Sequence, residues 1–257
     1  MSSRYDLRGV SSKKTELHRI LKRSESSTSL NKKTLGAFCQ GIDFPADISF
    51  KGKKPIFFHH ADGAGSKPIL AYLWWRESGL LDGFKAVAHD ALVMNTDDLL
   101  TMGIVDGFSF SSIISRNKKR IPSEVLQTLI EANQLFVEKL NSWGINAKMA
   151  GGETADVGDT VSTLLVDATA CAFALPEEII HPDRVKPNDL IIGFSSFGKT
   201  VYEDEYNSGI GCNGITSLRH DILSDFYQKN YPETVDAQIS KDYTYVGEYR
   251  LSYKLFE

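Results

Sequence analysis

The chain has 257 residues, 42% of them hydrophobic and 24% charged, with a formal net charge of -4. That is enough apolar material for one large domain or two of ordinary size, and there is no basic excess of the kind that drives nucleic-acid binding. Apolar runs such as Leu190-Ile191-Ile192 are too short to cross a bilayer, and Met1-Ser2-Ser3-Arg4-Tyr5 lacks the apolar stretch of a secretory signal. Three scattered cysteines, Cys39, Cys171 and Cys212, fit reduced thiols better than a disulfide framework. The expectation is a soluble, cytoplasmic protein with neither nucleic acid nor membrane as partner.

In chain order, residues 11–34 are polar and basic and read as a short helix followed by a mobile, serine-rich segment. Residues 54–60 form a strand that delivers Asp62 to its exit, and residues 68–76 form a helix with proline in its first turn. A second, strongly apolar helix covers 84–102, and residues 108–114 alternate as a strand. Residues 123–141 place Val125, Leu126, Leu129, Ile130, Ala132, Leu135, Phe136 and Leu140 at helical spacing. A strand over 145–150 leads into a turn at Gly151-Gly152, and residues 161–174 make a long strand with apolar residues on both faces. Pro176, Pro182 and Pro187 mark a boundary, after which Leu190–Phe194 opens a second domain as a strand. The domains expected are a partly mobile segment at 1–35, an N-terminal domain at 36–180 and an incomplete second domain at 188–257.

Two segments carry the chemistry. Asp62-Gly63-Ala64-Gly65-Ser66-Lys67 and Gly151-Gly152-Glu153-Thr154-Ala155-Asp156 both place acids on backbone that glycine leaves open to a ligand. Carboxylates hold a metal while glycine amides and a lysine hold phosphate oxygens, so the pair suits magnesium-bound ATP. The helix at 84–102 adds Asp90, Asp97 and Asp98 among apolar neighbours, and buried carboxylates are costly unless paired or bound to a cation. Helical rise puts Asp90 and Asp98 about 12 Å apart along the axis, too far for one ion to be gripped by both. His59 and His60 point to opposite faces of a strand, which favours a structural role for at least one. Gly209-Ile210-Gly211-Cys212-Asn213-Gly214 matches G-x-G-x-x-G, but the acidic stretch before it is no strand, so a dinucleotide site is not expected.

With these pieces in order, the chain resembles the aminoimidazole ribonucleotide synthetase (phosphoribosylformylglycinamidine cyclo-ligase) family from Tyr5 to about Leu223. The matching segments are Tyr5 with Gly9-Val10, Gly36-Ala37-Phe38, Asp62 to Lys67, Asp90 through Asp97-Asp98, Gly151 to Ala155, and Ser208-Gly209 with Asn213-Gly214. The resemblance implies an α/β (α+β) fold: an N-terminal mixed sheet with packed helices that dimerises through its sheet, then a partial second α/β domain. It implies a homodimer that uses ATP and Mg2+ to convert formylglycinamidine ribonucleotide to aminoimidazole ribonucleotide. By position, Asp62, Asp90 and Asp98 are the metal residues, and Lys67 with the amides of Gly63 and Gly65 hold phosphate. Glu153 and Thr154 line the nucleotide or metal site, Asn213 and Gly214 the substrate side, and no residue is assigned as catalytic. A non-catalytic ATP-binding module and a sibling synthetase for another small molecule are the alternatives.

The chain departs from the family pattern in places. Asp97-Asp98 stands where the family has Asn-Asp, Ser111 lies near where an acid is expected, and Gly211-Cys212 replaces a histidine. The polar, tyrosine-rich end makes the second domain look incomplete, so a truncated, divergent member is expected.

Overall fold

A computed structural model describes residues 3–10, 39, 41–43, 46–199, 203–206 and 209–254. The helix and mobile segment expected over 11–34, and the Gly36-Ala37-Phe38 and Ser208 positions, lie outside the described residues. The expected α/β architecture is present. Its centre is a mixed five-stranded sheet in the order β1-β2-β5-β3-β4, built from β1 (Gly41–Asp43), β2 (Ile56–Gly63), β3 (Phe108–Arg116), β4 (Ala147–Asp156) and β5 (Leu164–Ala174). β3 and β4 run parallel, joined by a helical crossover; β5 returns antiparallel between β2 and β3.

One face of this sheet is covered and the other half-exposed. Along β5, Leu164, Val166, Ala168, Ala170, Ala172 and Ala174 are buried while the residues between them are not. The run of alanines on the covered side leaves room for a helix backbone to approach closely. That helix is α3 (Asp82–Leu100), which buries Phe84, Val87, Ala88, Ala91, Leu92, Asn95, Thr96 and Leu99. Beside it, α4 (Ser123–Ser142) buries Val125, Leu129, Ala132, Phe136, Val137 and Leu140 against β3 and β4. The i, i+3/i+4 spacing of both sets is what turns each apolar stripe toward the sheet. Each fully buried Phe or Leu in this layer contributes roughly 2–3 kcal/mol relative to exposure. Helix α2 (Pro68–Ser78) starts at a proline whose missing N–H costs nothing there, and stops at Gly79 with φ 78°, whose amide caps Trp75.

Two expectations change. Gly151-Gly152 makes no turn: β4 runs on through it to Asp156, and the glycines instead accommodate a register shift against Phe110 and Ser112 of β3. Glycine permits a bulge as readily as a turn, and here the following residues Glu153–Asp156 have a strand to pair with. Leu190–Phe194 forms no strand; it is extended and open to solvent, with Ile191 100% exposed. A strand needs a ladder partner, and none faces it among the described residues.

Among the described residues the C-terminal part forms no second sheet; it docks on the first through apolar packing, with Leu223, Tyr227 and Tyr245 in the same buried cluster, and through polar contacts. Helix α5 (Ile215–Ile222) and the short helix α6 (Phe226–Asn230) lie there, followed by single 3-10 turns at Pro232–Thr234 and Lys241–Tyr243. The side chain of Arg8, beside α1 (Arg4–Leu7), is fully buried; it donates to both carboxylate oxygens of Asp221, to Ser217 Oγ and to the Tyr243 carbonyl. Glu77, near the end of α2 and 7% exposed at its side chain, takes the Tyr227 hydroxyl at 2.5 Å, the Ser252 hydroxyl and Arg250 at 2.9 Å.

Burial alone would raise the Glu77 carboxyl, but the hydroxyls and the Arg250 guanidinium outweigh it and hold it below its ordinary 4.5. A carboxyl depressed in the folded state stabilises above its unfolded pKa and loses that contribution as pH falls through the folded one. Stability should therefore decline in the acid range below pH 4.5. Glu77→Gln should remove part of that acid dependence and cost on the order of 1–2 kcal/mol near neutral pH. Thermal melts of both proteins across that pH range check it; parallel curves would remove Glu77 from the account.

Candidate nucleotide and metal site

The two sequence motifs emerge on a common set of rows across the sheet. β2 ends at Asp62-Gly63, and the chain turns through Ala64–Lys67 into α2. Ala64 is fully buried and its amide donates to the Val166 carbonyl at 3.0 Å, which anchors the start of the turn. Gly65 sits at φ +55°, in the left-handed region, with open space around it. Gly63 is required for a different reason: a Cβ there would lie 1.8 Å from Asp167 Oδ1.

Lys67 is held in place. Its Nζ lies 2.8 Å from Asp90 Oδ2 and donates at 2.5 Å to the Ile210 carbonyl. An ammonium has three donors; the carbonyl takes one and the Asp90 contact is an ion pair without hydrogen-bond geometry, so Lys67 can still donate to a ligand oxygen. Ser66 Oγ and Thr216 Oγ1 are 2.5 Å apart. These two contacts bring the Ile210–Thr216 segment, with Asn213 and Gly214, against the Asp62–Lys67 turn. Cys212 joins them, its thiol pushed up to about 11 by burial and by Asp90. Near neutral pH it stays a neutral thiol.

Asp98 of α3 and Asp62 of β2 do meet, and a third group joins them. His60, two residues before Asp62 and so on the same face of β2, places Nε2 3.0 Å from Asp98 Oδ2. One ligand atom each from His60, Asp62 and Asp98 lies within 4.8 Å of the others. Asp90 is not in this group; its carboxylate faces Lys67. Asp97 also stands outside it, its pKa raised by burial and by Asp98. His89 stacks on Phe136 at 4.3 Å, and burial lowers its pKa, so it is a neutral packing group.

Glu153 and Thr154 are elsewhere in the chain's own fold. β5 and β3 lie between β2 and β4, a span of about 14 Å at the usual strand spacing. The register nevertheless aligns them: Gly63 pairs with Asp167, Asp167 with Ile113, and Ile113 with Glu153. Paired residues share a face, so Asp167 and Glu153 both belong to the half-exposed face. Asp167 was not singled out from the sequence. Burial and then Asp62 raise its pKa, and a lone acid in the apolar run Leu164–Ala174 was the available signal. Arg116, whose side chain is nearly buried, is taken up by Asp156 at 2.7 Å and by the Ile121 carbonyl, and is not offered to a phosphate.

Behind β4, a cavity of about 250 Å³ is lined by Ser112, Asn133, Met149, Gly151, Gly152 and Glu153, among others. Asn133, 3% exposed, donates to Ser112 Oγ at 3.1 Å. No helix among the described residues is long and apolar enough to cross a membrane.

The chain thus sets a glycine-rich, lysine-bearing turn and converging carboxylates at one end of a mixed α/β sheet. The profile of the family described as AIR synthase related protein, N-terminal domain, matches residues 46–174, half of the chain, and the chain belongs to that family. Among its relatives, the phosphoribosylformylglycinamidine cyclo-ligase of Methanosarcina mazei is 24% identical over 207 residues, covering 80% of this chain and 54% of the relative. That of Pyrococcus furiosus is 26% identical over 170 residues, covering 64% and 42%. The chain spans about half the length of the curated relatives it matches. A solved structure from Thermus thermophilus aligns over 64% of this chain and 45% of its own, with a TM-score of 0.42 and 15% identity.

Proposed function

We propose that this chain binds Mg2+ and ATP and serves an ATP-dependent cyclo-ligase reaction. The substrate would be formylglycinamidine ribonucleotide and the products aminoimidazole ribonucleotide, ADP and phosphate. The observation that carries this is the junction of the Asp62–Lys67 turn with Asp98 on one side and the Ile210–Gly214 segment on the other. It sets the two carboxylates, which would hold a metal, beside a lysine that can still donate. In this reaction the γ-phosphoryl passes to the amide oxygen of the substrate. A nitrogen of the same molecule then attacks that carbon, phosphate leaves, and the imidazole ring is closed.

The carboxylates of Asp62 and Asp98 would hold a divalent ion, whose charge would neutralise phosphate oxygens during transfer. The chain's own residues do the positioning. Lys67, anchored by Asp90, would bind a phosphate oxygen; the turn amides at Gly63 and Gly65 would take others. Glu153 and Asp167 would bound the nucleotide along the half-exposed face of that row, while Thr154, the next residue of the strand, faces the other side. Asn213 and Gly214 would face the ribonucleotide. The half-exposed face, with Ile113 39% and Leu165 41% exposed, would be covered by a second copy in a homodimer. The domain division proposed is a nucleotide-binding unit at 36–180 followed by residues 188–257.

A second reading, an ATP-binding module without ring-closing activity, draws on the neutral Cys212 thiol and the solvent-exposed Leu190–Phe194. The test is to incubate purified protein with Mg2+, ATP and formylglycinamidine ribonucleotide and to quantify aminoimidazole ribonucleotide. Product establishes the cyclo-ligase; ATP bound without product selects the module. Asp98→Asn should lower Mg2+-dependent ATP affinity about tenfold, roughly 1.4 kcal/mol, with the melting temperature nearly kept. Unchanged affinity by calorimetry would take Asp98 out of the metal site.

A further inference from the structure

The group beside Asp62 and Asp98 is a histidine whose tautomer is dictated by its surroundings. Asn95 is fully buried, and its Nδ2 donates to the carbonyls of Ala91 at 2.9 Å, Ala168 at 3.2 Å and Asp62 at 3.3 Å. Turning that amide over would set its oxygen against three carbonyl oxygens. Its Oδ1 is therefore the atom facing His60 Nδ1 at 3.1 Å, and an oxygen can only accept. The hydrogen must sit on Nδ1. In the neutral ring Nε2 then carries a lone pair, and it points at Asp98 Oδ2 from 3.0 Å. Two lone pairs at that distance repel unless a cation, a proton or a metal ion, lies between them. Asp62 brings a further oxygen to the same place.

This is how protein metal sites hold an imidazole: one nitrogen ligates while the other donates to a fixed acceptor that sets the ring's orientation. Asn95 does more than accept, since the same side chain holds the carbonyl of the ligand residue Asp62. Two ligand atoms in adjacent positions, each about 2.1 Å from one ion, lie about 3 Å apart, which is the His60–Asp98 separation. Ligand chemistry then selects the ion. Mg2+ prefers oxygen donors and keeps its waters, whereas an imidazole with carboxylates favours divalent first-row transition ions.

We propose that His60, Asp62 and Asp98 form a site selective for a divalent first-row transition ion, with His60 as the ligand that sets the preference and Asn95 as its positioning residue. The inference deepens the nucleotide-metal reading and rests on it for the ion's role, but its test needs no nucleotide. Tag-free protein is titrated with Co2+ and followed by visible absorption, then challenged with Mg2+; water-proton relaxation on added Mn2+ gives a second readout on the unaltered protein.

The expected result is saturation near one Co2+ per chain, with Mg2+ displacing it only at a hundredfold or greater excess. His60→Gln should weaken Co2+ binding at least tenfold and leave Mg2+ affinity within about threefold. Displacement of Co2+ by equimolar Mg2+, absence of binding, or a His60→Gln protein that binds Co2+ as before would each overturn the proposal, the last leaving a proton as the bridge. Should His60→Gln fail to fold, the Co2+-against-Mg2+ selectivity of the unaltered protein still decides. Co2+ binding without any ATP binding would sink the nucleotide reading alone. ATP binding with Mg2+ and no transition-ion preference would sink this inference alone.

Discussion

Lys67→Ala should weaken Mg2+-ATP binding by about a hundredfold, on the order of 2.7 kcal/mol. Three roles converge on its Nζ: the ion pair with Asp90 at 2.8 Å, the bond to the Ile210 carbonyl at 2.5 Å, and the remaining donor for phosphate. Only the third is lost to the ligand directly. The first two hold the Asp62–Lys67 turn against Ile210–Gly214, so their loss also loosens the junction on which binding depends. Removing the lysine strands the Asp90 carboxylate, which is largely covered at 24% side-chain exposure, and leaving such a charge unpaired is itself costly. The double change Lys67→Ala with Asp90→Asn separates these effects. It should recover most of the lost melting temperature and none of the ATP affinity. A folded Lys67→Ala protein that binds ATP normally would remove this residue from the phosphate site.

Much of the fold was legible where one physical signal dominates. The apolar stripe at 123–141 gives α4 almost to the residue, and proline at the first turn places α2. Helical rise also separated Asp90 from Asp98 in advance, and the structure gives them different partners, Lys67 and His60. What stayed hidden depends on neighbours distant in sequence. The histidine pair reads as structural for at least one member, and the place of His60 beside Asp62 and Asp98 comes into view only with the longer β2 and with Asn95, thirty-five residues on. Asp167 matters because β5 pairs with β2 at Gly63, a register that no local pattern states. Arg8 and Glu77 carry no local signal of their roles, because their partners Asp221 and Tyr227 lie far along the chain. Leu190–Phe194 errs the other way: an apolar run resembles a strand, yet its sequence does not supply the strand it would pair with.

The glycine pair of β4 yields the other large effect. Gly152→Ala would set a methyl 2.2 Å from the Ser112 carbonyl oxygen, 3.1 Å from its carbon and 3.2 Å from its nitrogen. All three are backbone atoms of β3, which is bonded on both sides, to β4 and β5. No rotamer can relieve the clash, so the edge strand must move, and overpacking of this kind costs about 3 kcal/mol. For a chain of this size that lowers the melting temperature by roughly 6–12 °C. Gly151→Ala makes a sharp control. A Cβ there meets nothing within 4 Å, but the residue sits at φ +111°, so its cost is backbone strain alone, about 1–2 kcal/mol. Hydrogen exchange separates the two: the Gly152 change should release amides along β4 from Gly152 to Asp156, the Gly151 change only those at the register shift. Since Glu153 and Thr154 ride on that strand, the Gly152 variant should also lose ATP affinity in proportion to the amides released. Full protection of β4 in Gly152→Ala would mean that the strand tolerates the methyl by a movement smaller than the contact allows, and that the close approach to Ser112 is not what holds Glu153 in its row.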